Sequence, residues 1–147
     1  MHTEMRTGGF TLIELMIALV VVAILSAIAY PLYEHQIEES RRTEARTALT
    51  ELAAREERYF ATNNAYTNSA NFLGYGANNW PITVGSGYFE LSKPNVNNGA
   101  NPPYYLLTAT AIGSQVSDTQ CQQFTIDSTG TEISYDNSNS VTTSTCW

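Results

Sequence analysis

Apolar side chains crowd one end of the chain. From Phe10 to Tyr30 the run FTLIELMIALVVVAILSAIAY carries polar side chains only at Thr11, Glu14 and Ser26, apart from the terminal Tyr30 hydroxyl. At about 1.5 Å per residue this predicts a helix about 31 Å long, the depth of a bilayer hydrocarbon core. Beyond it the pattern turns periodic: Ile37, Ala45, Ala48, Leu49, Leu52, Ala53 and Tyr59 or Phe60 recur at spacings of three and four or their sums. That spacing predicts an amphipathic helix over 31–61 with one face packed. The positions set opposite, Glu38, Arg41, Arg42, Glu44, Arg46, Glu51, Arg55, Glu56 and Arg58, are expected to face water or adjacent subunits. Among them Glu38 and Arg42, and Glu51 and Arg55, stand in the i to i+4 order that supports a helix. Residues 10–61 together would form a helix about 75 to 80 Å long. Pro31 interrupts it. A proline leaves the Ala27 carbonyl without its helical partner, which predicts a kink or local melting, unless Pro31 instead opens a new helix at its first turn.

Past Thr62 the chain turns to Asn, Gly, Ser, Thr and Tyr, with Asn63-Asn64, Asn78-Asn79 and Gly85-Ser86-Gly87 as loop signals. Strands are expected over Tyr88 to Leu91, Tyr104 to Ile112, Gln122 to Asp127 and Glu132 to Tyr135, with a hairpin turn at Asp127-Ser128-Thr129-Gly130. A sheet this small cannot bury both faces alone, so the apolar side of the 32–61 helix is its natural lid. The fold class is therefore α+β: a long N-terminal helix on a small antiparallel sheet. Tyr66, Phe72, Tyr75 and Trp80, in the connecting loop, are read as packing residues, with a sugar- or surface-binding role as the alternative.

A chain of 147 residues holds one core plus an accessory element. Seven basic side chains against fourteen acidic ones give a formal charge of −7, so nucleic acid is not favoured as a partner. A cleaved secretory signal is an alternative reading of the apolar run, and Ala27-Ile28-Ala29 offers it a small-x-small site ahead of Tyr30. The length of the run, Glu14 within it, and Arg6 as the only fixed positive charge before it count for a retained segment. Glu14 is the most informative of these. A carboxylate inside hydrocarbon is costly and tends to be kept for a function, and no Lys or Arg between Phe10 and Glu39 can pair with it.

The junction Gly8-Gly9-Phe10-Thr11-Leu12-Ile13-Glu14, followed by an apolar helix, resembles the class III leader of type IV prepilins. The resemblance implies a leader over 1–9, cleavage between Gly9 and Phe10 by a prepilin peptidase, and methylation of Phe10. It further implies that Glu14 meets the methylated terminus of a neighbouring subunit, so that Phe10, Glu14 and Pro31 serve assembly. Pairing suits the physics, since either charge alone would be uncompensated in low dielectric. His2 and Glu4 depart from the short basic leader, and a start at Met5 would remove them.

Cys121 and Cys146 are expected to form one disulfide in a chain whose C-terminal part lies outside the cytoplasm. A metal site is disfavoured, because His2 falls in the leader and His35 on the helix. The cysteine-bounded tail looks like the C-terminal region of type IV pilins. The segments Ala53 to Phe60, Tyr105 to Ala111, Cys121 to Gly130 and Cys146-Trp147 are similar to PilE-like minor pilins of the type IVa system. By that resemblance residues 10–30 form the membrane and filament-core helix, 31–61 the amphipathic helix, and 62–147 the globular domain. The implied partners are the prepilin peptidase, other major and minor pilins, the inner-membrane assembly platform and the inner membrane itself. The implied location is the bacterial inner membrane, single-pass with a periplasmic C-terminal domain, then the extracellular pilus. A type II secretion pseudopilin, and a major pilin or adhesin binding a surface receptor, are the alternatives. No nucleophile elbow, phosphate loop or zinc-binding helix motif is present, so neither catalysis nor a cofactor is expected.

Overall fold

The computed structural model describes residues 9–76 and 79–147. The leader expected over 1–9, Gly9 excepted, lies outside the described residues, as do the two candidate starts Met1 and Met5. The chain divides into two compact units, Met1–Ile37 and Glu38–Trp147.

In the first unit, helix α1 begins; it runs Leu12–Asn63 with Pro31 inside it. Thr11 starts it: its carbonyl accepts the amides of Glu14 and Leu15 at 3.1 and 3.2 Å, and its hydroxyl also receives the Glu14 amide at 3.3 Å. Thr11 to Glu14 thus has the Thr-x-x-Glu spacing of a capping box. Neither melting nor a fresh helix start occurs at Pro31; the helix carries the proline in its interior. The ring removes one backbone bond at a cost of about 3 kcal/mol, which the unbroken turns on either side tolerate.

In the second unit, the C-terminal part of α1 buries Arg42, Ala45, Leu49, Leu52, Ala53 and Glu56. These follow the three-and-four spacing of one helical face. Arg42 and Glu56 were expected on the opposite, solvated face, and the structure overturns both placements: they are 6% and 0% exposed. Their reason is polar partners supplied by other elements, described below.

The sheet is wholly antiparallel, in the order β1 (Ile82–Val84), β2 (Phe89–Leu91), β4 (Tyr104–Ala111), β5 (Gln123–Asp127), β6 (Glu132–Tyr135), with β3 (Asn95–Asn97) also paired to β4. Strands β2, β4, β5 and β6 fall where the sequence predicts them, within a residue. Along β4 Tyr105, Leu107, Ala109 and Ala111 point inward and alternate with more exposed positions, the period-two pattern of a sheet with one covered face. The register sets small against large: Ala111 faces Phe89 and Ala109 faces both Leu91 and Phe124. With Leu49 and Leu52 of α1, these side chains make one core. At the predicted hairpin turn, the Asp127 carboxylate accepts the Thr129 and Thr131 amides at 2.8 and 3.0 Å, and Gly130 takes φ +78°.

After a 3₁₀ turn over Gly113–Ser117, the tail ends in the short helix α2 (Thr143–Cys146). A disulfide joins Cys121 and Cys146, with Cα atoms 5.7 Å apart, so the segment before β5 is tied to α2. Closing a loop of this size is worth about 3 to 4 kcal/mol by chain entropy. Trp147 then packs edge-on against Phe124 at 5.8 Å.

Candidate functional site

Every residue from Gly9 to Gln36 is exposed. Phe10 is 79% exposed, and the large apolar side chains from Leu12 to Leu32 form an uncovered coat around the helix. The segment is long and apolar enough to cross a membrane. Burying one such side chain is worth about 1.5 to 3 kcal/mol, so a coat of this extent needs lipid or other helices around it. Within it the Glu14 carboxylate has neither a hydrogen bond nor an ion pair among the described residues. Of the residues singled out by sequence, Gly9, Phe10 and Glu14 gather at the start of α1 and Pro31 lies farther along it, while the cysteine pair belongs to the second unit.

The second unit fastens α1 to its sheet by a polar belt that sequence reading missed. Arg42 donates from Nε to Asp118 at 2.6 Å and from Nη2 at 2.8 Å, a fork-to-fork pair buried on both sides. Gln115, fully buried, donates to the same carboxylate at 3.0 Å. Arg41 lies 3.5 Å over the Tyr88 ring, and Glu44 accepts the Ser86 amide at 2.7 Å and hydroxyl at 2.8 Å. Glu56 accepts the Thr67 amide at 3.0 Å on one oxygen, while its other oxygen is buried without a partner among the described residues. Burial pushes its carboxyl up to about 7 against the help of Thr67, with Glu57 adding to the rise. Burial likewise raises the Tyr105 phenol, and Glu57 reinforces it. The regular spacing of 42, 45, 49, 52 and 56 is the signal that could have placed Arg42 and Glu56 on the inner face.

The connecting loop separates its aromatics by role. Tyr66 is buried, stacked on Phe60 at 4.6 Å and edge-on to Tyr105 at 4.8 Å. Tyr75 packs under Arg55, and the Trp80 indole donates to the Asn68 carbonyl at 2.8 Å. Phe72 alone of the four is largely exposed. Among the described residues no cluster of three or more His, Cys, Asp or Glu is placed to hold a metal ion.

Comparison with known proteins gives this arrangement a family. Residues 31–125 match the family model described as "Type IV minor pilin ComP, DNA uptake sequence receptor", and residues 5–30 match the prokaryotic N-terminal methylation motif. The chain is also similar to the type IV major pilin protein PilA of Myxococcus xanthus (strain DK1622), 39% identical over 70 residues, which cover 48% of this chain and 32% of that protein. The chain thus spans about a third of the length of that relative. A bare apolar helix with a lone carboxylate, a covered antiparallel sheet and a family model matching well over half of the sequence lead to one assignment: the chain belongs to the ComP family of type IV pilins.

Proposed function

We propose that this chain is a minor subunit of a type IV pilus, made as a prepilin that the prepilin peptidase cuts between Gly9 and Phe10 and methylates at Phe10. Residues 10–30 hold it in the inner membrane with residues 62–147 in the periplasm. On the assembly platform the same helix leaves lipid for the filament core, among major and minor pilins. The observation that carries this reading is the uncovered apolar coat with an unpaired Glu14 in its first turn. Passing from lipid to a helix bundle gains little hydrophobic free energy, so packing and polar pairing must supply the specificity. The Phe10 amine of one copy beside Glu14 of the next neutralises both charges and sets the axial step between subunits.

The printed family description also names a DNA uptake sequence receptor. Duplex binding draws on several phosphate contacts from Lys and Arg. Beyond Arg58 this chain has Lys93 as its only basic side chain against five carboxylates, which supports a structural role over a DNA-binding one.

Replacing Glu14 tests the assignment. Glu14→Ala should insert into the membrane at the normal level yet enter sheared filaments at a small fraction of it. Equal incorporation would remove Glu14 from assembly. Deletion of the gene with twitching lost and secretion intact would separate a pilus subunit from a secretion pseudopilin.

A further inference from the structure

Between the last turns of α1 and the loop around Phe72 lies an open cleft of about 340 Å³, walled by Arg55, Arg58, Tyr59, Phe72 and Gly74. Its volume falls in the range of small-ligand sites. Phe72 is 65% exposed and lies nearly parallel to Tyr59, with ring centres 5.9 Å apart and planes 20° apart. This ring sits outside the membrane segment, so its uncovered face is not explained by lipid. Arg55 is a fixed wall: it donates to the Leu73 carbonyl at 2.6 Å and to Glu51 at 2.7 Å, and its guanidinium lies 4.6 Å from the Tyr75 ring centre. Gly74, at φ +80°, makes room for it, since a Cβ there would stand 2.7 Å from Arg55 Nη1. Arg58 differs. It is exposed and has no ion pair among the described residues, in a chain with twice as many acidic as basic side chains.

We propose that this cleft binds a carboxylate-bearing sugar residue, of the uronic acid class, within an acidic polysaccharide. The Arg58 guanidinium takes the sugar carboxylate through paired N–H bonds, and the exposed Phe72 face takes the apolar C–H face of the pyranose ring. One free guanidinium suits one carboxylate per residue. A nucleic acid would ask for several free cations along the groove, and the charge of Arg55 is already met by Glu51. A second copy of the chain would cover about 800 Å² per partner in a standard interface, which a concave cleft of this size does not provide by itself.

Titration of the purified full-length chain in detergent micelles with tetragalacturonate, followed by calorimetry, tests the site. Saturable binding is expected, weakened about tenfold or more in Arg58→Gln and in Phe72→Ala, and weakened less in Arg58→Lys, which keeps the charge but not the paired N–H bonds. Near-UV circular dichroism unchanged from the parent establishes that the variants are folded. Absence of tetragalacturonate binding to the parent, equal binding of neutral maltotetraose, tighter binding of an oligothymidylate, or full affinity in both loss variants would each overturn the proposal. So would a Phe72→Cys thiol reactive to maleimide in micelles and fully protected in filaments, because a neighbouring copy would then occupy the cleft. The binding results in micelles depend on neither leader cleavage nor Glu14, so the site can fail while the pilus assignment stands; only the maleimide result in filaments presupposes assembly.

Discussion

Arg42 and Asp118 illustrate how single residues hold this domain together. Their two hydrogen bonds, at 2.6 and 2.8 Å, join α1 to the segment after the 3₁₀ turn in a place where both side chains are almost wholly buried. Removing one partner strands the other charge in low dielectric, so Arg42→Ala or Asp118→Ala should cost about 3 to 5 kcal/mol. Replacing both by apolar residues of similar volume should recover most of that loss, measured by denaturation of the full chain in micelles. Glu56 works in the other direction. Its carboxyl is shifted from 4.5 up to about 7 by burial, with the Thr67 amide as its one hydrogen-bond donor among the described residues and Glu57, Tyr66 and Tyr105 as titratable neighbours. The native state therefore binds a proton that the unfolded chain releases. Stability from this residue is full below about 4.5, falls as the pH rises toward about 7, and stays low above it. Glu56→Gln should be more stable than the parent at pH 8 and should lose this part of the pH dependence; an unchanged pH profile would contradict the assignment.

At the scale of elements, legibility in the sequence followed the length of the pattern. The apolar run and the three-and-four spacing after it marked α1, and the alternation from Tyr105 to Ala111 marked β4, because each repeats its period several times. Strands β1 and β3 have three residues each, as does the predicted β2, so length alone does not separate them; they form because β2 and β4 offer them open edges. Arg42 and Glu56 obey the helical period, while their charge argues for the outer face. Spacing won in the structure because Asp118, Gln115 and Thr67 arrive from distant segments, and no local pattern announces such partners. At Pro31, the loss of a single backbone bond does not end the helix. The start of α1 was the most readable part of the candidate site, since cap, carboxylate and apolar run are consecutive. The Arg58 and Phe72 cleft was the least readable, because the loop had to fold back before Phe72 and Tyr59 could stack.

For the whole molecule, the chemistry is divided along the chain. Six of the seven basic side chains lie at or before Arg58, and the sheet domain that follows is acidic and carries the disulfide. An apolar helix that nothing covers among the described residues suits lipid or the company of other helices, and in the function proposed above cleavage at the junction of Gly9 and Phe10 is what lets it pass from one to the other. Membership in the ComP family accounts for both halves of this design, a methylation-type N-terminus and a pilin domain. The most direct test is the intact mass and N-terminal peptide of the protein recovered from sheared filaments. A chain that begins at methylated Phe10 and weighs about 2 Da less than its fully reduced form would meet the account in both processing and the Cys121 to Cys146 bond. A chain that begins at Tyr30 and is released as a soluble domain would contradict it, because Glu14 and the filament-core helix would be absent from the mature protein.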